Sequence, residues 1–236
     1  MQDSTWAILM ASAASIGFVH TVIGPDHYLP FVVLARARNW RVAKTLLVTL
    51  ACGIGHVLSS VVIGAVGVAA GIAVSTLEGI ESARGEAASW LLIGFGLAYA
   101  VWGVRRGIVS RPHSHVHVHE NGHVQTHPHT HTGGHGHLHQ GEGQVTPWVL
   151  FIIFVLGPCE PLIPLLMYPA AGHHWAAVAG VTGVFGTVTI LTMLTIVGLL
   201  ARGLLSVKTA GLERFSHALA GAIIALSDLA IKFLGL

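Results

Sequence analysis

Long apolar stretches, separated by short clusters of charge and turn residues, divide the chain into six runs at about 6–35, 45–74, 87–104, 147–170, 175–201 and 211–233. Each reaches the roughly 20 apolar residues that a helical membrane crossing needs. The second run carries no Asp, Glu, Lys or Arg from Thr45 to Leu77. At about 1.5 Å per residue it exceeds a bilayer core, which predicts a tilted helix or a protruding end. The first run follows Asp3 rather than a basic stretch and continues past His20 to Leu34, so it reads as a retained span and not a cleaved signal. The predicted fold is an all-α membrane protein of six transmembrane helices.

Composition agrees with the pattern. Of 236 residues, 53% are hydrophobic and only 9% charged, far from the usage of a soluble domain. The net charge of +2 is too small for a nucleic-acid surface, and the basic residues collect between the apolar runs. Arg36, Arg38, Arg41 and Lys44 lie between runs one and two, Arg105, Arg106 and Arg111 follow run three, and Arg202 and Lys208 follow run five. The segment after run two instead carries Glu78, Glu81 and Glu86 with Arg84. The positive-inside rule puts all three basic loops in the cytoplasm and both termini outside, as in a bacterial or archaeal inner membrane. Cys52 and Cys159 both fall within apolar runs and form no metal, haem or disulfide spacing.

An internal repeat organises the six runs. Val22 to Pro30 (VIGPDHYLP) matches Val155 to Pro164 (VLGPCEPLIP), with one extra residue before the last proline, and Gly55-His56 has a counterpart in Gly186-Thr187. Each half then holds three spans, residues 1–106 and 147–236. An odd number of crossings turns the second half upside down, which predicts two inverted three-helix repeats with helices 1 and 4 broken at Gly-Pro. Between the halves, residues 107–146 form a polar linker with eleven histidines: His113, His115, His117, His119, His123, His127, His129, His131, His135, His137 and His139. A tract of this composition cannot build a core and is expected to be disordered without ligand. It is interspersed and internal, unlike an expression tag. Its imidazoles suit a metal buffer or sensor whose binding is lost below about pH 6.

The first Gly-Pro pair stands inside the block His20 to His27, which holds two imidazoles and the Asp26 carboxylate at membrane depth. Ionisable groups there are costly and mark substrate paths, and imidazole with carboxylate is a donor set for nickel, cobalt, zinc and copper. In an unbroken helix His20 and His27 would share a face about 10 Å apart, too far to hold one ion. Pro25 lacks the N–H of the helical ladder and its ring clashes with the preceding turn, so a kink there lets the rings approach. Asp26 then serves either as a ligand or as the group that orients an imidazole. His56, flanked by Gly53 and Gly55, is the candidate third imidazole from the neighbouring span. Cys159 and Glu160 occupy the repeat positions of Asp26 and His27, which would set a thiolate or carboxylate opposite the first site. Asp228 in the last run reads equally as a proton relay or as a hydrated residue near the interface, and His173 and His174 as an outer relay or as surface residues.

The block His20 to His27, the Gly55-His56 pair, the Pro158-Cys159 turn and the histidine-rich linker together resemble the nickel/cobalt transporter superfamily, most of all its six-span UreH-like and HupE/UreJ-like permeases and RcnA-type exporters. In the better-known nickel/cobalt permeases four residues separate the first histidine from the Asp-His pair. Here five intervene, with Gly24 in the manner of the HupE/UreJ pattern. The resemblance implies a secondary transporter of Ni(II) or Co(II), with Zn(II) and Cu(II) also within its donor chemistry, and with His20, Asp26, His27 and His56 at the motif positions. It implies no prosthetic group and no enzymatic activity. The partners expected are the metal ion and the lipid bilayer, with a second copy or a further transport subunit as candidates. No Gly-rich nucleotide loop with its lysine occurs, which argues against ATP coupling within this chain. Two other classes share parts of the pattern. A LysE-like or TauE-like exporter of a small organic or sulfur anion would share the inverted repeat but calls for a cation at the midplane. A CcdA/DsbD-like thiol-disulfide reductase would use Cys159, whose repeat mate here is Asp26.

Overall fold

The computed structural model describes residues 3–109, 113–118, 124–129, 142–206 and 213–234. Helix α1 (Asp3–Ile23) ends at Gly24, a 3-10 turn covers Pro25–His27, and α2 (Leu29–Ala37) follows. Helices α3 (Val42–Ala69) and α4 (Val74–Val109) are long and continuous, joined where Gly71 adopts a φ of 65°. After the linker come α5 (Glu142–Leu156), α6 (Leu162–Ala171), α7 (Trp175–Ser206), a 3-10 turn (Glu213–Phe215) and α8 (Ser216–Leu234). Among the described residues five helices are long and apolar enough to cross a membrane, and two apolar helices, α5 and α6, are shorter.

Two short segments of the linker lie among the described residues. β1 (His113–Val118) and β2 (Val124–His129) pair antiparallel, with His113 opposite His129 and His115 opposite His127. The His-x-His alternation of β1 has the two-residue period of a strand, which a reading by polarity alone passes over. The helices also encroach on the linker, α4 running to Val109 and α5 starting at Glu142. His119, His123, His131, His135, His137 and His139 lie outside the described residues, as do Arg111 and Lys208.

The third run is longer than the apolar pattern indicates. Glu78, Glu81, Arg84 and Glu86, expected in a loop before residue 87, lie within α4. Glu81 can stay in the helix because its carboxylate is buried against partners rather than left to lipid.

Packing follows the small residues. A Cβ at Gly103 would lie 2.2 Å from the backbone nitrogen of Ala218, and one at Gly221 would lie 2.3 Å from that of Ala100. α4 and α8 therefore cross backbone against backbone, the close approach that glycine permits between membrane helices. α1 packs on α7 while α5 packs on α3; α2 lies on α8 while α6 lies on α4; α2 meets α3 while α6 meets α7. One apolar core gathers Phe31, Leu34, Cys52, Leu150, Phe154, Met193 and Ile224, and a second gathers Leu9, Val57, Cys159, Leu162, Val181 and Phe185. Side chains such as Ile8, Phe18, Leu58, Leu97, Leu191 and Leu226 point outward from the bundle. That apolar exterior is what a bilayer, and not water, would solvate.

Candidate metal centre

The break between α1 and α2 begins with what Pro25 cannot do. Gly24 N–H still reaches the His20 carbonyl at 3.1 Å, but Pro25 has no N–H to continue the ladder. The chain tightens instead: His27 N–H bonds to the Gly24 carbonyl at 3.1 Å and Tyr28 N–H to that of Pro25 at 3.2 Å. The turn brings the ring of His27 to 4.7 Å from that of His20, centroid to centroid and nearly perpendicular. An unbroken helix would hold them about twice as far apart. His56, from the middle of α3, places its ring 5.1 Å from that of His27 and 6.4 Å from that of His20.

The nitrogens sort themselves by partner. His27 Nδ1–H donates to Asp26 Oδ1 at 3.0 Å and to the Gly24 carbonyl at 3.2 Å. His56 Nδ1–H donates to the Phe154 carbonyl at 3.3 Å. All three acceptors require the proton on Nδ1, so the rings of His27 and His56 each turn an Nε2 lone pair away from the anchor. The Nε2 atoms of His20, His27 and His56 are all buried and have no hydrogen-bond partner among the described residues. One ligand nitrogen from each of the three lies within 4.8 Å of the other two, the only such group of three among the described residues. An unpaired buried acceptor costs about 1 to 3 kcal/mol. Three imidazoles gathered this closely form a donor set that a Lewis acid could satisfy, with the acceptors at Nδ1 fixing tautomer and ring plane for His27 and His56.

Asp26, left open as ligand or orienting group, is in this structure the partner of His27 Nδ1, and its side chain is 37% exposed. Gly24 is required beside it by space. A Cβ there would lie 2.6 Å from His27 Nδ1 and 2.7 Å from Asp26 Oδ1. Gly157, in the second Gly-Pro turn, plays a similar part, since a Cβ on it would meet His56 Nδ1 at 3.2 Å.

The second-half residues divide. Glu160 is exposed and lines the same cavity as the histidines, a space of about 630 Å³ also bordered by Asp26 and Asp228. Cys159 is buried in the apolar cluster around Phe185 and Leu162 and does not border that cavity. The turn directs the thiol into packing. Cys52 is likewise a free, buried thiol in the other apolar cluster. Thr187, the counterpart of His56, is exposed, while Gly186 beside it packs on Val57.

One polar group escapes sequence reasoning altogether. Glu81, fully buried, pairs with Arg84 and accepts a hydrogen bond from Ser60 Oγ at 2.7 Å. Cys159 N–H donates to Ser60 Oγ at 3.0 Å and to Glu81 Oε2 at 3.2 Å. Arg84 Nη2 donates to Ser59 Oγ at 2.8 Å and to the carbonyls of Val155 and Gly157 at 2.9 and 3.2 Å. The pair thus takes up the backbone groups that the α5–α6 break leaves free, on both sides of Pro158. The available signal was an acid and a base three apart on one helix, but half of their partners are backbone atoms with no signature in the sequence.

Five apolar helices of crossing length and a cluster of three histidines, two buried and one half-buried, indicate an integral membrane protein with a candidate transition-metal site. No family model matches the chain, and no curated protein or solved structure matches it either.

Proposed function

We propose that the protein is a secondary transporter of divalent transition-metal ions, with Ni(II) or Co(II) as its cargo and His20, His27 and His56 as the site through which the ion passes. The observation that carries this reading is the gathering of His20, His27 and His56, one ring nitrogen of each within 4.8 Å of the others, with all three Nε2 atoms buried and without a partner among the described residues. Imidazole suits nickel, cobalt, zinc and copper, and burial at membrane depth favours a path over a surface depot. Asp26 orients His27 and contributes negative charge to the cation.

The six-span inverted repeat, with spans one and four each interrupted at Gly-Pro, is part of the same proposal. Its support is the exchange of partners between halves: α1 with α7 against α5 with α3, and α2 with α8 against α6 with α4. Such repeats bring broken helices to a midplane site and allow each half to open in turn. The histidine-rich linker then lies on the cytoplasmic face as a metal buffer or sensor.

The cavity disfavours the anion-exporter alternative. Among the described residues its wall includes Asp26, Glu160 and Asp228 and no Lys or Arg. A thiol-reductase role is disfavoured by Cys52 and Cys159 standing in separate apolar clusters. The experiment is uptake of Ni(II) and Co(II) into proteoliposomes by the full chain and by its His27→Ala and His56→Ala variants. Flux that either substitution abolishes is the expected result. Absence of flux for every divalent metal, or flux indifferent to His27, refutes the proposal.

A further inference from the structure

Asp228, on α8, is an ionisable residue that the three-histidine site does not use. It is 3% exposed, its Oδ2 has no hydrogen-bond partner among the described residues, and it borders the same cavity as His20, His27 and His56. α8 packs directly on the Pro25–His27 turn, so the residue belongs to the wall that faces the broken helix. Ser89, on α4 and bordering the same cavity, also presents a buried hydroxyl oxygen without a partner. Two unpaired polar groups from two helices therefore open onto the space beside the imidazoles.

Charge gives this arrangement a purpose. Three neutral imidazoles contribute nothing against the two positive charges of a divalent ion, and Asp26 is engaged with His27 Nδ1. At membrane depth an uncompensated charge is costly, and one further carboxylate would complete neutralisation. Asp228 is not within the close group formed by the three histidines. The cavity of about 630 Å³ leaves ample room between them for water, which occupies about 30 Å³ per molecule.

We propose that Asp228 is the anionic binding group of this site, holding the divalent cation through a water that the ion retains and so favouring divalent over monovalent ions. This role rests on the metal-transport reading above. The ion keeps part of its hydration on the side of α8, with Ser89 Oγ as a second partner for that water, and sheds the rest to the imidazoles.

The test uses the full-length chain in lipid nanodiscs with the eleven linker histidines changed to glutamine, which removes their competing sites. Affinity for Co(II) is measured by calorimetry and by visible absorption, and affinity for Cu(I) under reducing conditions. Asp228→Asn, which keeps shape and an acceptor but removes charge, is expected to weaken Co(II) binding by about 10-fold or more and to leave Cu(I) binding intact, as expected for an outer partner of a metal site. Asp228→Glu should recover part of the loss. Co(II) affinity unchanged in Asp228→Asn overturns the inference, and so does parallel loss of Co(II) and Cu(I), which would assign Asp228 to the fold alone. If His27→Ala abolishes Co(II) binding while Asp228→Asn does not alter it, only the role of Asp228 falls. If the unsubstituted site binds no Co(II), the metal reading fails and this role with it.

Discussion

Replacing Arg84 with alanine isolates the buried pair that holds the α5–α6 break. The Glu81 side chain is 0% exposed, so without Arg84 its carboxylate keeps only the Ser60 hydroxyl and the Cys159 amide. Removing one partner of a buried ion pair costs about 3 to 5 kcal/mol, because the other charge is left uncompensated. The carbonyls of Val155 and Gly157 also lose a charged donor, each such bond contributing about 1.5 to 3 kcal/mol in isolation. Arg84 is itself 15% exposed, so water can reach part of the space it leaves, and these contributions do not add in full. A loss of about 4 kcal/mol is expected, roughly a thousandfold in the folding equilibrium. Reversible unfolding in mixed micelles, followed by tryptophan fluorescence, measures it. Glu81→Gln with Arg84→Met should cost less than the sum of the single substitutions, by at least about 1.5 kcal/mol, since neither group is then left charged and alone. An Arg84→Ala protein within about 1 kcal/mol of wild type, or strict additivity in the double variant, would refute this account of the Glu81–Arg84 pair.

Three further outcomes follow from the geometry. Gly24→Ala puts a methyl group 2.6 Å from His27 Nδ1 and should displace the His27–Asp26 pair, weakening metal binding while the bundle still folds, as circular dichroism and calorimetry together would record. Asp26→Asn preserves an acceptor for His27 but not the charge, and should lower Co(II) affinity by about 10- to 100-fold without changing thermal stability. Gly103→Leu drives a side chain into the α8 backbone, where a Cβ alone already lies 2.2 Å from Ala218 N, and should cost more than about 3 kcal/mol by overpacking, read as loss of folded protein on size-exclusion chromatography.

The chain by its linear order dictates the membrane class, because a run of apolar residues leaves the backbone no stable state in lipid except a helix. It also dictates the break at Gly24-Pro25, since a missing N–H and a ring clash are local chemistry that no neighbour can restore. His20, His27 and His56 are legible as candidates because ionisable groups within apolar runs are costly at membrane depth and mark substrate paths. Folding determined everything that depends on groups distant in the chain. Cys159 keeps the repeat position of Asp26, yet its thiol is turned into packing around Phe185 and Leu162. Glu81, expected in a loop, is buried because Arg84, Ser60 and the backbone around Pro158 converge on it. The tautomer of His56 is set by the carbonyl of Phe154, 98 residues away. A backbone oxygen is the same in every residue, so nothing in the order of side chains announces which one will stand beside a given imidazole.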